Sequence, residues 1–304
     1  MKKDIFNIKS ITQVHEFMGL EKPRHPLVSI YENNCINAEQ VPAEQRFTSE
    51  LYVISLKGGI AGSFNYGRNS YDFQDGTMVF MSPNQVFSPH QAEVVDDPSG
   101  WTLLFHPDLI RKSELGRNIS QYSFFSYEAN EALHVSDEEK QTLTELAEKI
   151  KKEYQQNIDK HTQDLIIINL ESLLKYCQRY YDRQFYTRTN LNKDYITNFN
   201  QFLKSYFESD LLVKKGIPTV KQCGEALHMS GHYLSDLLKN ETGKSAKEHI
   251  HLYLVDKAKT ILLNTNQSIS AIAYDLGFEY PQHFSKLFKT KTGLSPSEYR
   301  TQIN

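Results

Sequence analysis

One fifteen-residue stretch occurs twice near the C-terminal end of the chain, as LSDLLKNETGKSAKE at residues 234–248 and as FSKLFKTKTGLSPSE at residues 284–298. At this spacing of 50 residues, seven positions are identical and two more exchange leucine for phenylalanine. A fixed period between self-similar segments is the usual sign of a repeated architecture. The matches therefore indicate that one structural unit has been duplicated.

Each copy, with the residues just before it, has the pattern of helix, tight turn and helix. In the second copy Ser268 is placed to cap a first helix, Gly277 to end it and Pro281 to open the next one. In the first copy Thr219 and Ser230 hold the equivalent capping positions. Two helices joined by a short turn form the helix-turn-helix pattern. We predict two such motifs, at residues 219–242 and 268–292.

The turns and the first helices carry two further features. His228 stands where the second copy has Gly277, so a left-handed conformation at His228 carries some strain. Ala226 and Ala273 are small residues in the first helices, and we expect them to let the two helices of each motif cross closely.

A long helix is predicted between the motifs, from Ser245 to about Asn264. Its apolar positions recur at helical spacing, at Ile250, Tyr253, Leu254, Ala258, Ile261 and Leu262. About 20 residues at a rise of about 1.5 Å span roughly 30 Å, which is close to one turn of B-DNA, about 34 Å. A connecting helix of this length fits two recognition helices in adjacent major grooves.

The region 195–302 resembles the DNA-binding domain of the AraC family of bacterial regulators. The most specific segments are IAYDLGF at 272–278, FSKLFK at 284–289 and TGLSPSEYR at 292–300. The resemblance implies a cytoplasmic transcription regulator that binds double-stranded promoter DNA, with a homodimer, a small-molecule effector and RNA polymerase as further expected partners. It implies neither enzymatic activity nor a cofactor.

Base reading falls to the outward residues of each second helix. For the first motif these are Gly231, His232, Ser235, Asp236 and Lys239, and for the second Gln282, His283, Ser285, Lys286 and Lys289. The inward residues are predicted to be Leu234, Leu237, Leu238, Phe284, Leu287 and Phe288. The caps Thr219, Ser230 and Ser268 join the DNA-binding set, because a helix N-terminus favours a phosphate. For each outward residue a solvated helix surface remains the alternative to a base contact.

Residues 1–135 are predicted to form an antiparallel β-barrel with helices, which makes the whole chain α+β. Short candidate strands at 51–56, 77–81 and 101–105 are bounded by turn residues. This region resembles the cupin-like sensor domain that precedes many AraC-type DNA-binding domains. Its aromatic residues Tyr52, Phe64, Tyr66 and Phe80 are candidates for an effector pocket, although an ordinary barrel core explains them equally well.

No metal site is expected in this region, because a metal-binding cupin needs a histidine cluster and His90 and His106 are isolated. The cysteines Cys35, Cys177 and Cys223 are scattered and odd in number, so neither a disulfide framework nor a cysteine-based zinc site is indicated.

Residues 136–186 are predicted to be helical, beginning with a capping box at Ser136 and Glu139. A second helix there carries one face of Leu165, Ile168, Asn169, Ser172, Leu173 and Tyr176. The two helices form either a dimer seam or packing within their own domain. Residues 187–194 are polar, and we interpret them as the linker to a DNA-binding domain at 195–304.

The charge distribution agrees with nucleic-acid binding at the C-terminal end. Residues 1–189 hold 20 Lys and Arg against 26 Asp and Glu, a net charge of −6, whereas residues 190–304 hold 14 against 11, a net charge of +3. No apolar run is long enough to span a membrane. Two other classes stay open: an enzyme that acts through its β-rich region, and an adaptor that binds only proteins.

Overall fold

The computed structural model describes residues 5–35, 46–58, 63–66, 69–72, 76–87, 99–128, 131–187 and 189–303. The chain divides into two compact regions, residues 1–184 and residues 185–304. Within the described ranges, no helix is both long enough and apolar enough to cross a bilayer.

The N-terminal region contains all the described strands. These are β1 (Ile5–Ile8), β2 (Val28–Glu32), β3 (Arg46–Ser49), β4 (Tyr52–Gly58), β5 (Ser63–Tyr66), β6 (Asn69–Asp72), β7 (Thr77–Met81), β8 (Val86–Phe87), β9 (Ser99–Phe105) and β10 (Leu133–His134). The helices of this region are α1 (Ile11–Met18), α2 (Glu114–Asn118), α3 (Asp137–Gln155) and α4 (Thr162–Thr187).

The main sheet has five strands in the order β10-β7-β4-β9-β2, and all its neighbouring strands are antiparallel. The predicted strands at 51–56, 77–81 and 101–105 correspond to its central members β4, β7 and β9. Ile54 and Leu103 face each other across β4 and β9 and are completely buried. The turn residues that bound these segments therefore correctly indicated the strands.

The mixed α and β character is confirmed, but the predicted barrel is not closed. The described strands form three sheets, because β1-β3-β8 and β5-β6 are separate from the main sheet. The pairing is also not purely antiparallel, since β1 and β3 run parallel. Strands β8 and β10 pair through two residues each, and such short strands provide little edge for joining one sheet to another.

Helix α3 packs against the main sheet. The indole Nε1 of Trp101 donates a hydrogen bond to Thr144 Oγ1 over 3.1 Å, and the amide of Ile30 donates to the buried Tyr154 hydroxyl over 2.9 Å. The predicted capping box of α3 is present, since Ser136 Oγ accepts from the amide of Glu139 and Glu139 accepts from the amide of Ser136.

Helix α4 leaves most of the face that its sequence indicated wholly or partly exposed, and only Leu173 of that face is buried. Leu165, Ile168 and Tyr176 are 41%, 58% and 37% exposed. The buried positions are instead Ile166, Ile167, Leu170, Leu173, Leu174 and Cys177. The helix is apolar on more than one side, so the periodicity alone did not determine which side meets the core.

The C-terminal region is helical throughout its described length. It comprises α5 (Thr189–Glu208), α6 (Leu211–Lys215), α7 (Val220–Ala226), α8 (Gly231–Thr242), α9 (Ala246–Asn264), α10 (Ile269–Asp275), α11 (Pro281–Thr292) and α12 (Pro296–Ile303).

The segment interpreted as the linker, 187–194, is helical from Thr189 onward. Polar residues can open α5 because its buried residues, such as Phe199 and Leu203, lie further along the helix. The division between the compact regions falls after Gln184, a few residues before the predicted linker.

Candidate nucleic-acid interface

The first helix-turn-helix motif consists of α7 and α8, and each helix begins at the predicted cap. Thr219 Oγ1 accepts from the amide of Gln222 over 3.2 Å, and the amide of Thr219 donates to Gln222 Oε1 over 2.8 Å. Ser230 Oγ accepts from the amide of Tyr233 over 3.1 Å and starts α8. These bonds satisfy backbone donors that would otherwise lack a partner at a helix N-terminus.

The second motif consists of α10 and α11 and has the same outline. Ser268 Oγ accepts from the amide of Ala271 over 3.1 Å and starts α10. Gly277 follows α10 with a φ of 79°, and Pro281 is the first residue of α11. Proline is accepted in the first helical turn because its missing amide hydrogen has no intrahelical partner there.

The identical residues of the duplicated stretch shape the C-terminal ends of α8 and α11. Gly243 and Gly293 end these helices in the left-handed conformation, with φ values of 74° and 83°. Thr242 Oγ1 donates to Leu238 O over 2.7 Å, and Thr292 Oγ1 donates to Phe288 O over 2.8 Å. The residues that are identical in the two copies thus include the threonine and glycine that end each helix.

The next helix begins in the same way after each stop. Ser245 and Ser295 accept from the amides of Glu248 and Glu298, and each glutamate accepts from the amide of its serine over 2.9 and 2.7 Å. Hydrogen bonds from the serine amides hold the pKa of both carboxyl groups below its ordinary value.

The inward faces are close to prediction. Leu234, Leu237, Leu238, Phe284 and Phe288 are at most 2% exposed, whereas Leu287 is only partly buried. Cys223 of α7 is buried, and burial raises the pKa of its thiol to about 12. The Cys223 side chain is therefore a packed core residue and not a reactive thiolate.

The close crossing of the first motif depends on a residue that the sequence reading did not select. Ala226 is exposed, whereas Ala273 is completely buried. Gly224, which is 49 residues before Ala273, provides the approach: a Cβ there would lie 2.6 Å from Met229 O and 2.8 Å from the amide nitrogen of Gly231. The first helices of the two motifs align at a spacing of 49 residues, as His228 and Gly277 do, and this alignment could have identified Gly224.

Helix α9 connects the two motifs and contacts both of them. It packs against α8, α10, α11 and α12. Its 19 residues correspond to roughly 28 Å at 1.5 Å per residue. Arg300 on α12 donates from Nε to Leu262 O over 3.1 Å and so fixes the C-terminal part of α9.

Comparisons with known proteins agree with this arrangement. A family model described as a helix-turn-helix domain matches residues 223–302. The uncharacterized HTH-type transcriptional regulator YisR of Bacillus subtilis is 37% identical over 86 residues, which cover 28% of this chain and 30% of YisR. The Msm operon regulatory protein of Streptococcus mutans is 30% identical over 111 residues, 36% of this chain and 37% of that protein.

Residues 223–302 form an AraC-type helix-turn-helix domain.

The similarity extends less completely over the remainder of the chain. YijO of Escherichia coli, an uncharacterized HTH-type transcriptional regulator, is 24% identical over 64% of this chain and 65% of its own length. The chain thus spans less than two thirds of each of these relatives. Among solved structures, the C-terminal domain of AraT from Geobacillus stearothermophilus matches 36% of this chain and 84% of its own, with 29% identity and a TM-score of 0.32.

The predicted DNA-reading residues of the AraC-type domain differ in accessibility. His232, Lys239, Gln282, His283, Lys286 and Lys289 are exposed, as are the caps Thr219 and Ser268. Gly231, Ser235, Asp236 and Ser285 are partly buried. Ser230 is 8% exposed, so its hydroxyl is committed to capping α8.

Two residues beside this set were not selected from the sequence. Tyr280 immediately precedes α11, is 48% exposed and lies 5.4 Å from the His283 ring, measured between centroids. Lys291 is exposed in the last turn of α11. The signal for Tyr280 was an aromatic residue directly before the proline that opens a recognition helix.

Of the four effector-pocket candidates, the two whose side chains are described, Tyr52 and Phe80, both contact Phe125, with ring centroids 5.0 and 5.7 Å apart. Phe80 packs on Phe124 with ring centroids 4.5 Å apart, and Tyr52 stacks on Phe105 at 4.8 Å. Both belong to a filled aromatic cluster. The side chains of Phe64 and Tyr66 lie outside the described residues.

In the described ranges, no group of three or more His, Cys, Asp or Glu residues could hold a metal ion. His106 caps a short turn by accepting from the amide of Asp108. His90 lies outside the described residues.

Proposed function

We propose that this protein is a sequence-specific transcription regulator of the AraC type, with α8 and α11 entering adjacent major grooves of promoter DNA. One observation carries the proposal: two helix-turn-helix motifs, with matching caps on their first helices and matching glycine stops on their second, are joined by a single helix of 19 residues. That length is near the distance at which two recognition helices meet one side of the duplex.

Footprinting of the full-length protein on upstream DNA from its own genome, at stated salt, tests this proposal. We expect protection across two successive major grooves for each protomer, and genome-wide mapping should recover the same sites. Attachment that is weak, uniform over sequences and removed by salt would contradict it, since such binding is the non-specific kind. An adaptor that binds only proteins would give no sequence-specific protection.

We further propose that the N-terminal region is a cupin-like sensor for a small molecule, and that the regulator acts in the cytoplasm and contacts RNA polymerase. The β-rich region beside an AraC-type domain supports the sensor role. A thermal-shift screen with sugars and small metabolites tests it, because a ligand that binds only the folded state raises the unfolding temperature. Turnover of such a ligand would favour the alternative of an enzyme.

A homodimer is the third part of the proposal, with the exposed face of α4 as its contact. The face defined by Leu165, Ile168 and Tyr176 is apolar and directed to solvent. Asp164 precedes this face and Arg179 follows it, both exposed. An antiparallel second copy would bury the apolar residues and bring those opposite charges together.

A further inference from the structure

Asp236 and Lys286 occupy the same position in the two recognition helices. Each is the sixth residue of its helix, follows a serine and precedes a leucine. Both helices end in a left-handed glycine, Gly243 or Gly293, and most of their inward residues are buried. Lys286 is exposed and Asp236 is partly exposed. Equivalent positions on two equivalent helices therefore carry opposite charges.

The charge difference extends along both helices. Helix α8 carries Asp236, Lys239 and Glu241, a formal charge of −1, whereas α11 carries three lysines and no acidic residue, a formal charge of +3. Attraction to DNA phosphates follows the number of cationic contacts. Recognition helix α11 therefore attracts the phosphate backbone more strongly than α8, whose one lysine, Lys239, is outnumbered by Asp236 and Glu241.

The two side chains also differ in hydrogen bonding. A carboxylate only accepts, and in the major groove it matches the N4 amine of cytosine. An ammonium group only donates, and it matches O6 and N7 of guanine.

We infer that Asp236 selects a cytosine in the groove read by the first motif, that Lys286 selects a guanine in the groove read by the second, and that the second motif supplies most of the phosphate attraction. This inference rests on the proposed function. Each copy then reads one base, and the second copy also supplies most of the electrostatic attraction to the backbone.

Selection of binding sites from a random duplex pool by the full-length protein tests the base assignment. The wild-type protein should select cytosine at one position and guanine at the equivalent position about one helical turn away. Asp236→Lys should change the first preference to guanine and leave the second unchanged. Asp236→Asn, which nearly preserves shape, should reduce discrimination at that base by about 5- to 150-fold.

The salt dependence of binding tests the electrostatic assignment. Removing Lys286, Lys289 and Lys291 together by alanine substitution should lower the slope of log K against log salt by about two to three. Lys239→Ala is the matched control and should lower it by at most about one. Circular dichroism confirms that each variant is folded.

The outcomes separate this inference from the proposed function. If the Asp236 variants change affinity for all sequences equally, or if the slope falls as much for Lys239→Ala as for the triple variant, the inference is wrong while DNA recognition stands. If the wild-type protein enriches no sequence at all, the proposed function itself fails.

Discussion

His228 and Gly277 take the same left-handed backbone conformation at the turns of the two helix-turn-helix motifs, with φ values of 58° and 79°. Their surroundings differ. A Cβ at Gly277 would lie 2.9 Å from Leu212 Cδ1 and 3.2 Å from the carbonyl carbon of Gly216. His228 is exposed, so solvent accommodates its side chain. A side chain at Gly277 would therefore collide with its neighbours. The side chain of His228 meets no such contact, and its cost is limited to backbone strain.

Substitution at these two positions should affect stability unequally. We expect Gly277→Ala to lower the free energy of unfolding by at least the roughly 1–3 kcal/mol of a strained backbone, because a contact with Gly216 is added. His228→Gly removes strain of about 1–2 kcal/mol and loses up to about 1 kcal/mol through chain entropy, so it should not destabilise. Chemical denaturation of the full-length variants measures both. Equal destabilisation by the two changes would contradict the packing difference.

The paired glutamate caps predict a dependence of stability on pH. The folded-state pKa values of Glu248 and Glu298 are depressed. Their contribution is therefore present above the unfolded carboxyl pKa of about 4.3 and is lost as the pH falls through the lower folded values. The double variant Glu248→Gln/Glu298→Gln keeps an acceptor at each cap. We expect its melting temperature to fall less than that of the wild type between pH 5 and 3, and parallel curves would argue against this role.

Lys239 and Lys289 are the only identical exposed cations of the two copies of the repeat, and both suit phosphate contacts. Lys239→Ala and Lys289→Ala should each weaken binding to specific and unrelated duplexes alike, and each should reduce the salt slope by about one. Titrations at several salt concentrations measure this. A loss confined to one DNA sequence would instead indicate base contact.

The DNA-binding motifs could be predicted closely because local signals determine them. Serine and threonine caps, glycine stops and the proline at 281 act within a few residues of the chain, and each produced the expected boundary. The duplication added an internal check, since the caps of the first helices and the glycine stops of the second helices each appear twice. By contrast, the prediction that Ala226 lets α7 and α8 approach each other was wrong. The approach occurs at Gly224, because the distance between the helices depends on which side of α7 faces α8.

The N-terminal region was harder to predict because its organisation depends on contacts between distant residues. The turn residues around β4, β7 and β9 correctly indicated strands, but nothing local specified that β1 would pair in parallel with β3. Tyr52 and Phe80 fitted either an effector pocket or an ordinary core, and they pack against Phe105 and Phe124. Aromatic character alone does not distinguish a cavity wall from a packed cluster.

The exposed face of α4 provides the final prediction. Ile168 is 58% exposed, so Ile168→Asp should leave the protomer folded, yet a buried unpaired carboxylate would destabilise an interface built on that face. We expect the variant to sediment as a monomer where the wild type is a dimer, and to bind paired operator half-sites more weakly while retaining binding to one half-site. Gln178→Asp, which adds the same charge at an exposed position on another side of α4, is the matched control and should remain dimeric. If the wild-type protein is already monomeric at the concentrations that occupy DNA, or if both variants dissociate equally, α4 is not the contact between protomers.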